Sequence, residues 1–226
     1  MNDMSLLPEE CLVSRSMTWS KLEMVWLLVA SLVLSATACF YANWFYYVAT
    51  MSFVLHFILL SRGCVMGFFF GGVMVAFYGL YCYRVGMAFH LGAQGLYMLV
   101  NLLGAVIWQY QYVFRKPQSL QSLPHWHDNM LTLILIFGTG IVAHNLIANG
   151  DSQESLRPFT IIGACVGTLM ITFEFRERWW VWLQICSVAT VLWVMHYLQT
   201  GYGIPGVVAW LVALFSVVIC HYTHRK

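Results

Sequence analysis

Charge is what this chain has least of. Of its 226 residues, 11 are Lys or Arg and 9 are Asp or Glu, together 9%, while 61% are apolar. Soluble domains carry nearer ~25% charged and ~45–50% apolar residues. So few charges cannot coat a water-facing surface, which excludes a soluble globular enzyme and a disordered chain. A formal net charge of +2 is too small to hold a polyanion, so no nucleic-acid partner is expected. The composition is that of an integral membrane protein, with the lipid bilayer as its surroundings.

The placement of the acids is a second shortage. Asp3, Glu9, Glu10, Glu23, Asp128, Asp151, Glu154, Glu174 and Glu177 all stand at the ends of apolar runs or between them. A carboxylate at mid-membrane commonly serves as an ion or proton relay, and none is available here. No HExxH, GxSxG, P-loop or aspartate-rich prenyl-diphosphate motif occurs, so no enzyme chemistry and no cofactor is expected. The seven cysteines, Cys11, Cys39, Cys64, Cys82, Cys165, Cys186 and Cys220, form no CxxC pair. They read as small hydrophobes rather than a disulfide or zinc framework. His125-x-His127 and His221-x-x-His224 lack a third ligand and read as solvated loop, so no metal is expected. His56, His90, His144 and His196 lie in apolar runs; they could act as relays, but lone histidines in spans more often read as satisfied packing residues.

What is present is a series of apolar runs long enough to span. Crossing ~30 Å of hydrocarbon takes roughly 20 apolar residues in a helix. Cutting at charges, Pro and Gly clusters predicts eight spans, near 24–41, 44–61, 64–83, 87–112, 129–148, 158–173, 179–198 and 203–222. Runs such as Leu131-Thr132-Leu133-Ile134-Leu135-Ile136-Phe137 do not alternate, which argues against a β-barrel. Glu9 and Glu10 come early and no cleavage site follows, so residues 1–23 read as a cytoplasmic lead-in, not a signal peptide. With eight spans, one side collects Arg15, Lys21, Arg62, Arg115, Lys116, Arg176, Arg178, Arg225 and Lys226, against Arg84 and Arg157 on the other. That asymmetry places both termini in the cytoplasm.

Shifting the chain by 115 residues lays Gly86 on Gly201, Val73 on Val188 and Tyr78 on Trp193. The two halves then share a pattern of span, turn, span, turn, span. The expected organisation is an extra helix and first three-helix repeat over 24–112. A cytoplasmic loop and linker helix occupy 113–157, and a second parallel repeat covers 158–226. Internal repeats of this kind recur in transporters, with substrate held between them.

Gln94, Tyr97, Asn101, Gly104 and Trp108 are spaced by 3, 4, 3 and 4 and so share one helical face. Amides are costly in hydrocarbon, so this face should look into the bundle. There it either bonds neighbouring helices or lines a cavity, with Tyr97 and Trp108 as walls. Trp179, Trp182, Cys186 and Trp193 repeat the period in the seventh span. Trp179 and Trp180, next to Glu177-Arg178, suit an interfacial belt, while Trp182 lies deeper. The 115-residue shift matches Trp182 with Gly67 and Cys186 with Gly71, so one half offers bulk where the other offers room. Aromatics and amides without acids favour a flat solute bearing hydrogen-bonding groups. A cationic ring would gain ~0.5–2 kcal/mol from each indole face. Facilitated diffusion fits such neutral walls better than pumping.

Gln94-x6-Asn101-x2-Gly104-x3-Trp108, following Gly67 and Gly86, resembles the first repeat of the nicotinamide riboside (PnuC) transporters. Trp179-Trp180-Val181-Trp182, with the Gly201 turn and a final apolar span, resembles the second repeat's WxxW segment. The likeness covers about 60–112 and 157–222. It implies two parallel three-helix repeats joined by a linker helix, an enlarged version of the sugar-transporter (SWEET) fold, in a bacterial inner membrane. It also implies facilitated uptake of a small-molecule vitamin, trapped through phosphorylation by a separate cytoplasmic kinase; a homo-oligomer is compatible with it. The implied substrate contacts are Gln94, Tyr97, Asn101, Trp108, Trp179, Trp182, Cys186 and Gly67. Two departures stand out: Cys186 where the family's WxxWxxxN pattern has asparagine, and Gly63-Cys64 where an asparagine-aromatic pair is usual. Thiamine or riboflavin as cargo, or a non-transporting assembly factor or sensor, stay open as alternatives.

Overall fold

The computed structural model describes residues 19–84, 88–114, 152–175 and 178–223. Among them are seven helices: α1 (Lys21–Tyr41), α2 (Trp44–Ser61), α3 (Met66–Arg84), α4 (Ala88–Phe114), α5 (Ser152–Thr172), α6 (Arg178–Thr200) and α7 (Ile204–Thr223). Five of them, α1, α2, α3, α6 and α7, are long and apolar enough to cross a membrane. The 27 residues of α4 rise about 40 Å, also enough to cross. Each described helix overlaps a span expected from hydropathy. The main difference is α5, which begins six residues early because its polar first turns are helical too. The fifth expected span, 129–148, and the loop before it lie outside the described residues.

Local chemistry sets the helix ends. Ser20 caps α1 in a reciprocal box, its hydroxyl accepting from Glu23 N (3.2 Å) while its backbone N donates to the Glu23 carboxylate (2.9 Å). Such a box satisfies two orphan donors at once. Ala42 then turns left-handed at φ 49°, and the Asn43 side chain accepts from Tyr46 N to start α2. Gly63 (φ 73°) and Gly201 (φ 71°) supply the positive φ that ends α2 and α6, a conformation that costs glycine little.

The helices close into a ring. α2, α3, α4, α5, α6 and α7 each pack against the next, and α7 packs back on α2. α1 lies outside, against α2 and α7. Small residues let the backbones approach, as membrane helices require. A Cβ added at Gly163 would meet Ile185, at Gly167 Trp182, at Gly206 Trp193, and at Gly67 Leu60. α1 is fixed by polar ties. The Trp26 indole donates to Ser216 Oγ at 2.9 Å, and buried Glu23 pairs with Arg62 at the end of α2. The Arg62 guanidinium also lies 4.4 Å from the centre of the Trp19 ring.

Candidate functional site

The amide-bearing face of α4 turns inward. Tyr97, Asn101, Gly104 and Trp108 are buried, whereas Leu99, Leu102, Leu103, Val106 and Tyr110 between them are exposed to the outside of the ring. The Asn101 Nδ2 donates to the Tyr97 carbonyl at 2.9 Å, which directs the amide oxygen elsewhere. Tyr97 Oη accepts from Thr168 Oγ1 of α5 at 3.1 Å. The Trp108 indole donates to the Thr172 carbonyl at 2.9 Å and meets Phe68 of α3 edge-on, with centroids 5.1 Å apart. Gln94, one turn before Tyr97, is half-buried.

The second cluster is built on α6. Trp182 is fully buried, and its indole stands edge-on to Phe57 of α2 at 4.6 Å and to Phe53 at 5.9 Å. The room for it comes from Gly167 of α5, over which the ring sits. Trp179 is buried against Phe57, whereas Trp180 is half exposed and meets His221. Cys186 is fully buried one turn beyond Trp182. Trp108, Trp179, Trp182 and Cys186 belong to one apolar core. Tyr97 packs in a smaller one with Val75, Val100 and Cys165. Gly67 packs against Leu60 and contributes backbone, not a wall.

The join between the clusters is His56 of α2. Its ring is fully buried among Phe53, Phe57 and Phe68, with Nδ1 2.8 Å from the Gly67 carbonyl. Gly71 sits between the His56 ring and the Asn101 amide, with no space for a Cβ. Sequence reasoning missed Phe53, His56, Phe57, Thr168 and Thr172 as parts of this interior. The Thr168-x3-Thr172 spacing was a usable signal for α5. α2 gave none, because it is apolar on every side.

Four buried polar atoms here have no hydrogen-bond partner among the described residues: His56 Nε2, Gln94 Oε1, Asn101 Oδ1 and Trp182 Nε1. Most polar groups sealed in an interior are paired, and unmade bonds in a dry site cost free energy. No Asp, Glu, Lys or Arg is among these clustered side chains. No group of three or more His, Cys, Asp or Glu among the described residues could hold a metal. The arrangement suits a neutral or cationic guest with hydrogen-bond donors.

A ring of apolar helices around amides, indoles and an imidazole defines a multi-pass membrane protein of the small-solute transporter class. Residues 43–224 match the nicotinamide mononucleotide transporter family, and the chain belongs to it. The match begins just after α1, the helix outside the ring. Among its relatives, the nicotinamide riboside transporter PnuC of Haemophilus influenzae is 24% identical over 193 residues, 77% of this chain and 80% of that protein. The nicotinamide riboside transporter PnuC of Neisseria mucosa is 18% identical over 190 residues, 81% of this chain and 72% of that one. A crystal structure of the vitamin B3 transporter PnuC superposes with a TM-score of 0.69 and 19% identity, covering 92% of each chain. At that identity the likeness shows a shared fold.

Proposed function

We propose that this membrane transporter carries nicotinamide riboside by facilitated diffusion, binding it inside the six-helix ring. The observation that carries this reading is the buried acceptors His56 Nε2 and Asn101 Oδ1 and the Trp182 indole N–H, which have no partner among the described residues and no carboxylate or cation among them. Indole rings suit a cationic pyridinium. Amide oxygens suit the donors of a carboxamide and a ribose. The phosphate of a mononucleotide is acceptor-only and would want Arg, Lys or clustered N–H donors, so the riboside fits better. Gln94, Tyr97, Asn101, Trp108, Trp179, Trp182 and Cys186 line or support the site, and Gly67 sets the spacing of α2 and α3.

The closure of α7 onto α2 and of α4 onto α5 supports two parallel triplets, α2–α4 and α5–α7. The bias of basic residues supports cytoplasmic termini in a bacterial inner membrane. With no driving ion, retention needs a cytoplasmic kinase to add charge to the solute. Self-association in the bilayer is compatible with the outward leucines of α4.

The test is thermal stabilisation of the purified chain by nicotinamide riboside, its mononucleotide, thiamine and riboflavin. A ligand that binds the native state must raise the apparent melting temperature. The riboside is expected to give the largest shift, and proteoliposomes should equilibrate labelled riboside without an ion gradient. A larger shift with thiamine or riboflavin would reassign the cargo. No shift with any of the four would favour a non-transporting role.

A further inference from the structure

We propose that His56 reads the substrate: its Nε2 is a fixed acceptor for an N–H or O–H donor on the transported molecule. This rests on the riboside reading above and adds a specificity-determining residue to it. The tautomer follows from geometry. A backbone carbonyl can only accept, so Nδ1, 2.8 Å from the Gly67 oxygen, carries the proton. Nε2 of the neutral ring is then a lone-pair acceptor. It is fully buried and has no partner among the described residues.

Packing alone does not account for a histidine here. The ring is surrounded by Phe53, Phe57 and Phe68, and a phenylalanine would bury the same faces without an orphaned nitrogen. The position also joins the two halves of the site. Through Gly71, the Nδ1–Cε1 edge of the His56 ring neighbours Asn101, whose Oδ1 is likewise an acceptor with no partner among the described residues. Through Phe53 and Phe57 it neighbours Trp182. Two fixed acceptors welcome a carboxamide NH2 or ribose hydroxyl and repel a carboxylate. His56 therefore favours the amide form of the riboside over the acid form.

The experiment is isothermal titration of the purified full-length chain with nicotinamide riboside and nicotinic acid riboside, with melting temperatures measured in parallel. His56→Asn keeps an N–H donor for Gly67 and deletes the distal acceptor. His56→Gln carries an amide oxygen out toward the position of Nε2. The expected result is riboside binding at least 10-fold weaker in His56→Asn, recovery to within 3-fold in His56→Gln, and melting temperatures within a few degrees of the wild type. The wild type should also prefer the amide over the acid form by 10-fold or more, with the gap narrowed in His56→Asn. Unchanged binding in His56→Asn, or equal losses in both variants, overturns the proposal and leaves the transport reading standing. A wild type that binds no riboside overturns both. Should neither variant fold, the wild type is titrated with the N,N-dimethylcarboxamide and the 2′- and 3′-deoxy ribosides. A 10-fold loss with one of them supports the acceptor role, and equal affinity for all overturns it.

Discussion

The Trp182 indole of α6 meets Phe57 of α2 edge-on, with centroids 4.6 Å apart and planes at 81°. This contact joins α6 to α2 across the ring, between helices that are not neighbours around it. Its indole N–H has no partner among the described residues, which fits a side chain that also serves a guest.

Trp182→Phe should separate the two roles. The smaller ring keeps the contacts with Phe53 and Phe57, and the protein should fold with a modest loss of melting temperature. Riboside binding should fall about 10-fold or more as the indole face and its N–H are lost. Trp182→Ala, which empties a fully buried site, should cost about 3–5 kcal/mol of stability. Thermal unfolding with and without ligand checks both.

Gly71→Ala should be severe. The new methyl would occupy the space of the Asn101 amide and the His56 ring, and neither helix can retreat without opening the ring. Gly92→Ala and Gly95→Ala have nothing within 4 Å of the added Cβ. They should be neutral or stabilising by up to about 1 kcal/mol through helix propensity. Expression yield and melting temperature of the three variants give the comparison, and equal behaviour would contradict the packing described.

Glu23→Gln should destabilise the attachment of α1. The carboxylate is 1% exposed, pairs with Arg62 and accepts from Ser20 Oγ at 2.7 Å. Breaking one side of a buried pair typically costs about 3–5 kcal/mol, more than replacing both sides. Glu23→Gln combined with Arg62→Met is therefore expected to melt higher than Glu23→Gln alone. Thermal unfolding of the single and double variants decides it.

Cys186→Asn introduces, at a fully buried position, the asparagine that the WxxWxxxN resemblance implies. It should lower the melting temperature of the ligand-free protein, because a new buried amide needs partners. It should tighten riboside binding by supplying one. A riboside affinity that falls instead would mean the thiol leaves space that the guest occupies.

The described helices and the inward face of α4 were legible because their signals are strong and local. Apolar length identifies a crossing helix, and amides at helical spacing must find the interior. Trp182 was also legible as a deep aromatic, but its packing partner was not. The repeat offset pointed to Gly67, whereas the indole rests on Gly167 and Gly67 rests on Leu60. Positions matched by the offset need not touch each other: Gly67 packs between α3 and α2, and Trp182 between α6 and α5. The part played by α2 was hidden for a different reason. Phe53, His56 and Phe57 lie in a helix that is hydrophobic all round, so periodicity could not say which side meets α6. His56 read as a packing residue because its unpartnered nitrogen is visible only once Gly67 is seen to hold the other one.

The position of α1 bears on how the ring can open. It bridges α2 and α7, bonded to one through Glu23 and Arg62 and to the other through Trp26 and Ser216. A movement that parts those two helices must tear an ion pair and an indole bond that lie outside the ring. Parting α4 from α5 strains the indole bond of Trp108 and the hydroxyl contact of Tyr97. The outer helix thus clamps the α2–α7 flank from outside the ring, as Trp108 and Tyr97 clamp the α4–α5 flank from within it.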